Sequence, residues 1–182
     1  MRHHFEAAQW VPYPIELVFA FFANPENLPP LMPRWQRARI EEASFVSPPP
    51  RPVSADRSIR LRSFAAGTGS TMTISFRPFP LSPIRMPWEA YIAEFEWNDH
   101  FCDEQVRGPF AYWRHCHRVS RETRDGQQGT EIKDDLTYEM LFGKLGELAH
   151  KVFVQAQMKS LFAYRQKRLM QILPKIASQF KL

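Results

Sequence analysis

Acidic residues run out before the chain does. No Asp or Glu occurs from Leu148 to Leu182, a stretch that carries Lys151, Lys159, Arg165, Lys167, Arg168, Lys175 and Lys181. With a formal charge of +5 for the whole chain, the basic excess is gathered at one end. Such a segment suits a solvated helix face that complements the helix C-terminal dipole; docking on anionic lipid or an acidic protein is the alternative. Nucleic acid is not expected as a partner, and a membrane surface is not the favoured one. Cysteine is scarce too. Two residues exclude a disulfide framework. The opening MRHHFEAAQWV has no apolar run of signal-peptide length, and no window approaches about 18 consecutive apolar residues. These absences lead to the expectation of a soluble cytoplasmic protein. Gly67-Thr68-Gly69-Ser70 lacks the Gly-Lys-Ser/Thr ending of a phosphate loop. There are no internal repeats and no second boundary, so residues 1–182 read as a single domain.

What is abundant is aromatic. Apolar residues are 44% and aromatics 14% of the chain, with fifteen Phe and five Trp. That suits a sizeable core or an aromatic-lined interior.

HHFEAAQWV (3–11) reads as a first strand, stopped by Pro12 and Pro14 because proline donates no ladder hydrogen bond. Pro14 can open a helix, and Ile15, Val18, Phe19 and Phe22 follow at helical spacing to Ala23-Asn24-Pro25. PENLPPLMP (25–33) has room for one more turn of helix. Strands are expected at 36–45, 58–66, 71–77, 88–97, 100–108, 110–122 and 130–140, with 58–66 and 71–77 as a hairpin. Two proline-rich loops, 47–56 and 78–87, separate them. Short turns favour an antiparallel meander. A helix is expected from about Leu145 to Ile176, with Leu148, Val152, Phe153, Ala156, Leu161, Phe162, Leu169, Ile172, Leu173 and Ile176 as its apolar stripe.

The stretch DEQVRGPFAYWRHCHR (103–118) is unusual for strands that close a small domain. A turn at Gly108-Pro109 sets partners whose numbers sum to about 218, so Gln105 faces Trp113, Asp103 faces His115 and Phe101 faces His117. A turn near Asp125-Gly126 gives sums near 251, placing His117 against Asp134 and Val119 against Ile132. The inward parity is the one holding Ile132, Leu136 and Tyr138, since Glu131, Lys133, Asp135 and Glu139 belong to solvent. Asp103, Gln105, His115, His117 and Asp134 therefore point inward. Burial demands that charges be paired, and two His–Asp neighbours would satisfy it. Three readings compete: a satisfied structural network, a ligand pocket with apolar walls and a few polar groups, and a metal site built on His-x-His plus an acid. The pocket is favoured and no metal or other cofactor is expected. Cys102 and Cys116 also sum to 218, on the outer parity; free thiols are expected in a reducing compartment, an oxidised pair being the alternative.

The order of strand, two short helices, antiparallel strands and long C-terminal helix resembles the START-like, or helix-grip, superfamily, which includes Bet v 1-type allergens and polyketide cyclase/dehydrase-like proteins. F-x-D-E-Q-x-x-G-P-F-x-x-W-x-H-x-H from Phe101 to His117, G-T-x-x-x-D-x-x-x-Y from Gly129 to Tyr138, and Gly143 with Gly146 before the helix resemble a bacterial ligand-binding subgroup. Met140-Leu141-Phe142 departs from that subgroup's proline, and the two proline-rich loops are long. The resemblance implies an α+β helix-grip fold, a curved antiparallel sheet around the last helix with a cavity between them. The expected function is binding of a hydrophobic small molecule (lipid-, polyketide- or aromatic-like). Phe19, Phe22, Trp97, Phe101, Trp113 and Tyr138 would form walls, and Asp103, Gln105, His115, His117 and Asp134 would hold the ligand's polar end. Fold does not fix a reaction. If there is one, a His–Asp pair among His117, Asp134, His115 and Asp103, with His117–Asp134 preferred, would act as general acid/base in a cyclisation or dehydration. No Ser or Cys nucleophile lies on that face.

Overall fold

The computed structural model describes residues 1–53 and 63–179. Its elements in chain order are β1 (Arg2–Val11), α1 (Ile15–Ala23), α2 (Leu28–Leu31), β2 (Arg39–Ser44), β3 (Thr71–Phe76), β4 (Met86–Glu96), β5 (His100–Arg107), β6 (Phe110–Arg124), β7 (Gln127–Met140), α3 (Lys144–Ala149) and α4 (Gln155–Gln179). Pro14 caps α1 at its start, and the Asn24 side chain accepts from the Glu26 amide just past its end.

Seven strands among the described residues form one antiparallel sheet in the order β1-β7-β6-β5-β4-β3-β2. Register shifts interrupt β2, β4, β5 and β6. Such bulges bend a strand and raise its twist, which curves the sheet around α4. The helix is tied to the sheet edge by reciprocal amide contacts: Gln9 Nε2 donates to the Gln166 carbonyl and Gln166 Nε2 to the Ala8 carbonyl, both at 3.1 Å. This is the helix-grip fold.

Two buried clusters lie between sheet and helices. One joins Val18 and Phe19 of α1 to Phe101, Val119 and Ile132 of the sheet and to Leu169 and Leu173 of α4. The other joins Trp113, Leu136 and Tyr138 to Met158 and Phe162.

Three expectations need correction. Of the strand expected at 58–66, residues 58–62 lie outside the described residues and 63–66 are not strand; the Ala66 amide donates instead to the Ala23 carbonyl at the end of α1. β3 accordingly pairs with β2 and β4. The C-terminal helix is not one uniform stripe. Between α3 and α4, His150–Val154 form a π-helical turn, whose wider spacing rotates the face that follows. Leu148 and Val152 are exposed, Phe153 is exposed beside the cavity, and the buried stripe is Met158, Phe162, Leu169, Leu173 and Ala177. Third, Cys102 and Cys116 are a disulfide rather than free thiols. Directly opposed across β5 and β6, their Cα atoms are 4.0 Å apart, which leaves the sulfurs in contact.

Candidate functional site

Two turns place the polar face. β5 and β6 pair with His100 opposite Arg118, Phe101 opposite His117 and Asp103 opposite His115. β6 and β7 pair with His117 opposite Asp134 and Val119 opposite Ile132. These are the sums of 218 and 251 that two short hairpins impose, although the β5–β6 ladder stops at Glu104–Arg114 and the expected Gln105–Trp113 pair is not part of it. Because side chains alternate across a sheet, His115, His117, Leu136 and Tyr138 share the buried concave face.

Between that face and α4 lies a cavity of about 370 Å³. Its apolar lining includes Phe22, Ile74, Trp88, Phe101, Trp113 and Phe162, and its polar lining includes Asp103, His115, His117 and Arg165. Phe45 and Phe153 also line it and are exposed, which marks the mouth.

The acid that organises the histidines is Asp134. Its Oδ1 lies 2.9 Å from His115 Nε2 and 2.7 Å from His117 Nδ1. The first contact is a hydrogen bond; the second is close but off the ring N–H direction, so His117 Nδ1 keeps no well-aligned partner. Asp103 Oδ1 stands 3.8 Å from His115 Nδ1, too far for a direct bond. The diagonal reach of Asp134 to His115 thus replaces the straight Asp103–His115 pairing that register alone suggests. The two rings are 3.9 Å apart between centroids, and His117 is flanked by Phe101 at 4.6 Å and Phe22 at 5.5 Å.

These contacts set the charges. Desolvation, aided by His115, pushes His117 down to about 3 and outweighs the pull of Asp134, so the imidazole is neutral near pH 7. Burial would raise Asp134, but the two histidines overcome it and hold the carboxyl well below its usual range. Asp103 goes the other way: desolvation raises it, against the opposing pull of His115. One wall of the cavity therefore carries an ionised acid behind two imidazoles and a second acid driven toward its neutral form.

The other expected residues have different places. Phe19 packs in the core against Phe95, Trp97 and Phe101. Trp97 donates its Nε1–H to the Pro49 carbonyl at 2.7 Å beneath the Arg51 guanidinium. Gln105 folds back under the β5–β6 turn, donating to the Phe110 carbonyl at 2.8 Å. A Cβ at Gly108 would come within 2.3 Å of Gln105 Oε1, so glutamine and glycine of the motif serve the turn together. Tyr138 is buried and its hydroxyl meets His150 Nε2 at 2.9 Å. Neither these four residues nor Asp134, which sits behind the histidines, border the main cavity. Gly146 has a comparable structural role, since a Cβ there would lie 1.9 Å from the Leu141 carbonyl oxygen.

Arg165 is the charged cavity residue that sequence reasoning missed, as it also missed Ile74 and Trp88 on the apolar walls. Composition alone groups Arg165 with the solvated basic face of the last helix. Its signal was available: Arg165 lies seven residues after Met158, three after Phe162 and four before Leu169, which places a cation on the apolar stripe.

Two groups place one potential metal-ligand atom per residue within 4.8 Å of one another on this side of the fold: Asp103, His115 and His117 at the cavity, and His3, Glu147 and His150 under α3. Nitrogen and carboxylate donors of this kind suit zinc. In the cavity group, however, one nitrogen of each ring is already turned to Asp134.

Residues 11–161 match the family model described as polyketide cyclase/dehydrase and lipid transport. Among solved structures, the fold is similar to the crystal structure of Ara h 8.0201, with a TM-score of 0.56 at 15% identity over 94% of this chain and 99% of that one. It is also similar to the crystal structure of TTHA0849 from Thermus thermophilus, with a TM-score of 0.57 at 16% identity over 93% and 99%. No curated protein sequence matches the chain. With most of its length accounted for by one family model and its helix-grip fold shared with both structures, the chain belongs to the polyketide cyclase/dehydrase and lipid-transport family.

Proposed function

We propose that this protein binds a hydrophobic small molecule in the cavity between its sheet and α4. The observation that carries the reading is the pairing of a roughly 370 Å³ space with aromatic walls and a polar group that includes Asp103, His115, His117 and Arg165. Ligand sites combine apolar lining with a few convergent polar groups in this way. In such a complex the walls exclude water and the polar group fixes orientation. His117 offers its remaining nitrogen to the ligand, and Asp103, whose carboxyl burial pushes upward, stands beside it.

A cyclase or dehydratase reading has one observation in its favour, the contact of Asp134 with both imidazoles. Against it stands the depression of His117 to about 3. A general base works best with a pKa near the operating pH, and an imidazole this reluctant to protonate is a better hydrogen-bonding group than a proton acceptor. Binding is therefore the favoured role.

Native mass spectrometry of freshly purified protein, followed by denaturing extraction, tests this directly. The expected result is a reproducible extra mass released as an apolar small molecule. Replacing Ala90, a small cavity-lining residue on β4, by Phe should abolish that mass while the folded chain persists. A bare polypeptide mass, together with no uptake of apolar probes, would overturn the binding reading. A mass equal to a divalent metal would move the assignment to the His-x-His site.

A further inference from the structure

Arg165 is poorly provided for. It occupies the stripe by which α4 meets the sheet and is half-buried. Its guanidinium carbon stands 5.1 Å from the centre of the Phe162 ring. It borders both the main cavity and the small space behind Phe22 that reaches Asp134. Yet among the described residues no carboxylate lies within ion-pair distance of it: Asp134 is engaged by His115 and His117, and Asp103, which is nearer to His115, feels the guanidinium only at longer range. A guanidinium stays charged at any ordinary pH, and a charge withdrawn from water without a partner is costly. Trp113, which lines the same cavity, has its buried indole Nε1 without a well-aligned hydrogen-bond partner, Asp103 being the acceptor it acts on. The wall thus presents, beside Asp103 and the two histidines, a permanent cation and a poorly aligned N–H donor to a largely apolar space.

We propose that Arg165 is the anion-recognising residue of this cavity, and that the ligand is an apolar organic acid whose carboxylate pairs with the Arg165 guanidinium while its hydrocarbon or aromatic body fills the space beside Phe22, Trp88 and Phe101. This rests on the binding reading above and deepens it. A carboxylate fits better than a phosphate for two reasons. Its planar pair of oxygens matches the fork of a guanidinium. A dianion, by contrast, would meet the ionised Asp134 directly behind the histidines and be repelled.

The test compares acids with their neutral esters on the full-length protein. The probes are 2-naphthoate with methyl 2-naphthoate, and decanoate with methyl decanoate, titrated calorimetrically at about pH 7.5, where a simple carboxylate is ionised. Each acid should bind about ten-fold more tightly than its ester. Arg165→Gln should bring that ratio close to one, and Arg165→Lys, which keeps the charge but loses the fork, should retain part of it. Equal affinity for acid and ester in the unmodified protein would overturn the inference and leave the binding reading standing; that comparison needs no variant, so it is indifferent to whether Arg165→Gln folds. A ratio that survives Arg165→Gln would likewise overturn it. Exclusion of all four probes would remove the inference along with the binding reading.

Discussion

The concave side of the sheet carries two histidine–carboxylate groups, and they behave differently. At the cavity, Asp134 bridges His115 and His117 while both rings border open space. Toward the start of the last helical segment, His3 of β1 and His150 of the π-helical turn stack on each other with centroids 3.6 Å apart, His3 paired to Glu147 and His150 to the Tyr138 hydroxyl. None of those four residues borders the cavity. The residue types are nearly the same. What differs is whether packing leaves the imidazoles a free side. A stacked pair closed off by a tyrosine and a glutamate fastens the helix to β1 and β7; a pair held from behind by one shared carboxylate faces whatever fills the cavity.

The largest effect should come from removing the shared carboxylate. Asp134→Ala leaves two buried imidazoles without their acceptor and is expected to cost about 3 kcal/mol of stability, read by urea unfolding, and to weaken ligand binding as well. A loss under about 1 kcal/mol would mean that Asp134 is not the organiser of this group. Next comes the disulfide on the opposite face of the same strands. Its cysteines are 14 residues apart in sequence, so breaking it by Cys102→Ser with Cys116→Ser should cost about 2–3 kcal/mol. Ligand affinity should stay unchanged, because both sulfurs face away from the cavity.

Acid sharpens the contrast further. His117 titrates at about 3 when folded and near 6.5 when free. Between those values the unfolded chain takes up a proton that the folded chain refuses, so stability falls as pH drops through that window, by at most about 1.4 kcal/mol per pH unit. Asp134, held low, adds a loss of the same sign as pH falls below the ordinary carboxylate range. Asp103, held high, contributes the opposite sign over its own window. His117→Gln should flatten the pH dependence of the unfolding midpoint between about pH 6.5 and 4. The smallest effects belong to the closed group. Tyr138→Phe removes the hydroxyl from His150 and should cost about 1–2 kcal/mol without altering ligand affinity. Glu147→Gln should cost less than about 1 kcal/mol, since its pair with His3 is partly solvated. A clear loss of ligand affinity in either variant would break the distinction between the groups.

Much of the sheet was legible beforehand. Two short turns determine which residues oppose one another across β5, β6 and β7, and the alternation of Ile132, Leu136 and Tyr138 with charged neighbours shows which parity is buried. The roles of Gln105 and Tyr138 were not legible, because an inward-pointing polar residue can meet a turn or a helix instead of a cavity. Residues 63–66 misled because the alternation running into them suits a strand, whereas Ala66 is bonded to the end of α1. Arg165 was masked by its basic neighbours, although its spacing from Phe162 and Leu169 set it apart.

The amino-acid sequence by itself determined the registers across β5, β6 and β7, the buried polar parity and a long C-terminal helix, because strand alternation, hairpin pairing and helical period are local properties of the backbone. Tertiary structure alone decided which inward side chains border open space, that Asp134 serves both histidines, that a π-helical turn swings the last helix onto a different face, and that Arg165 is left without a carboxylate partner among the described residues. A cavity is the space that elements distant in sequence fail to fill, and no local period encodes it.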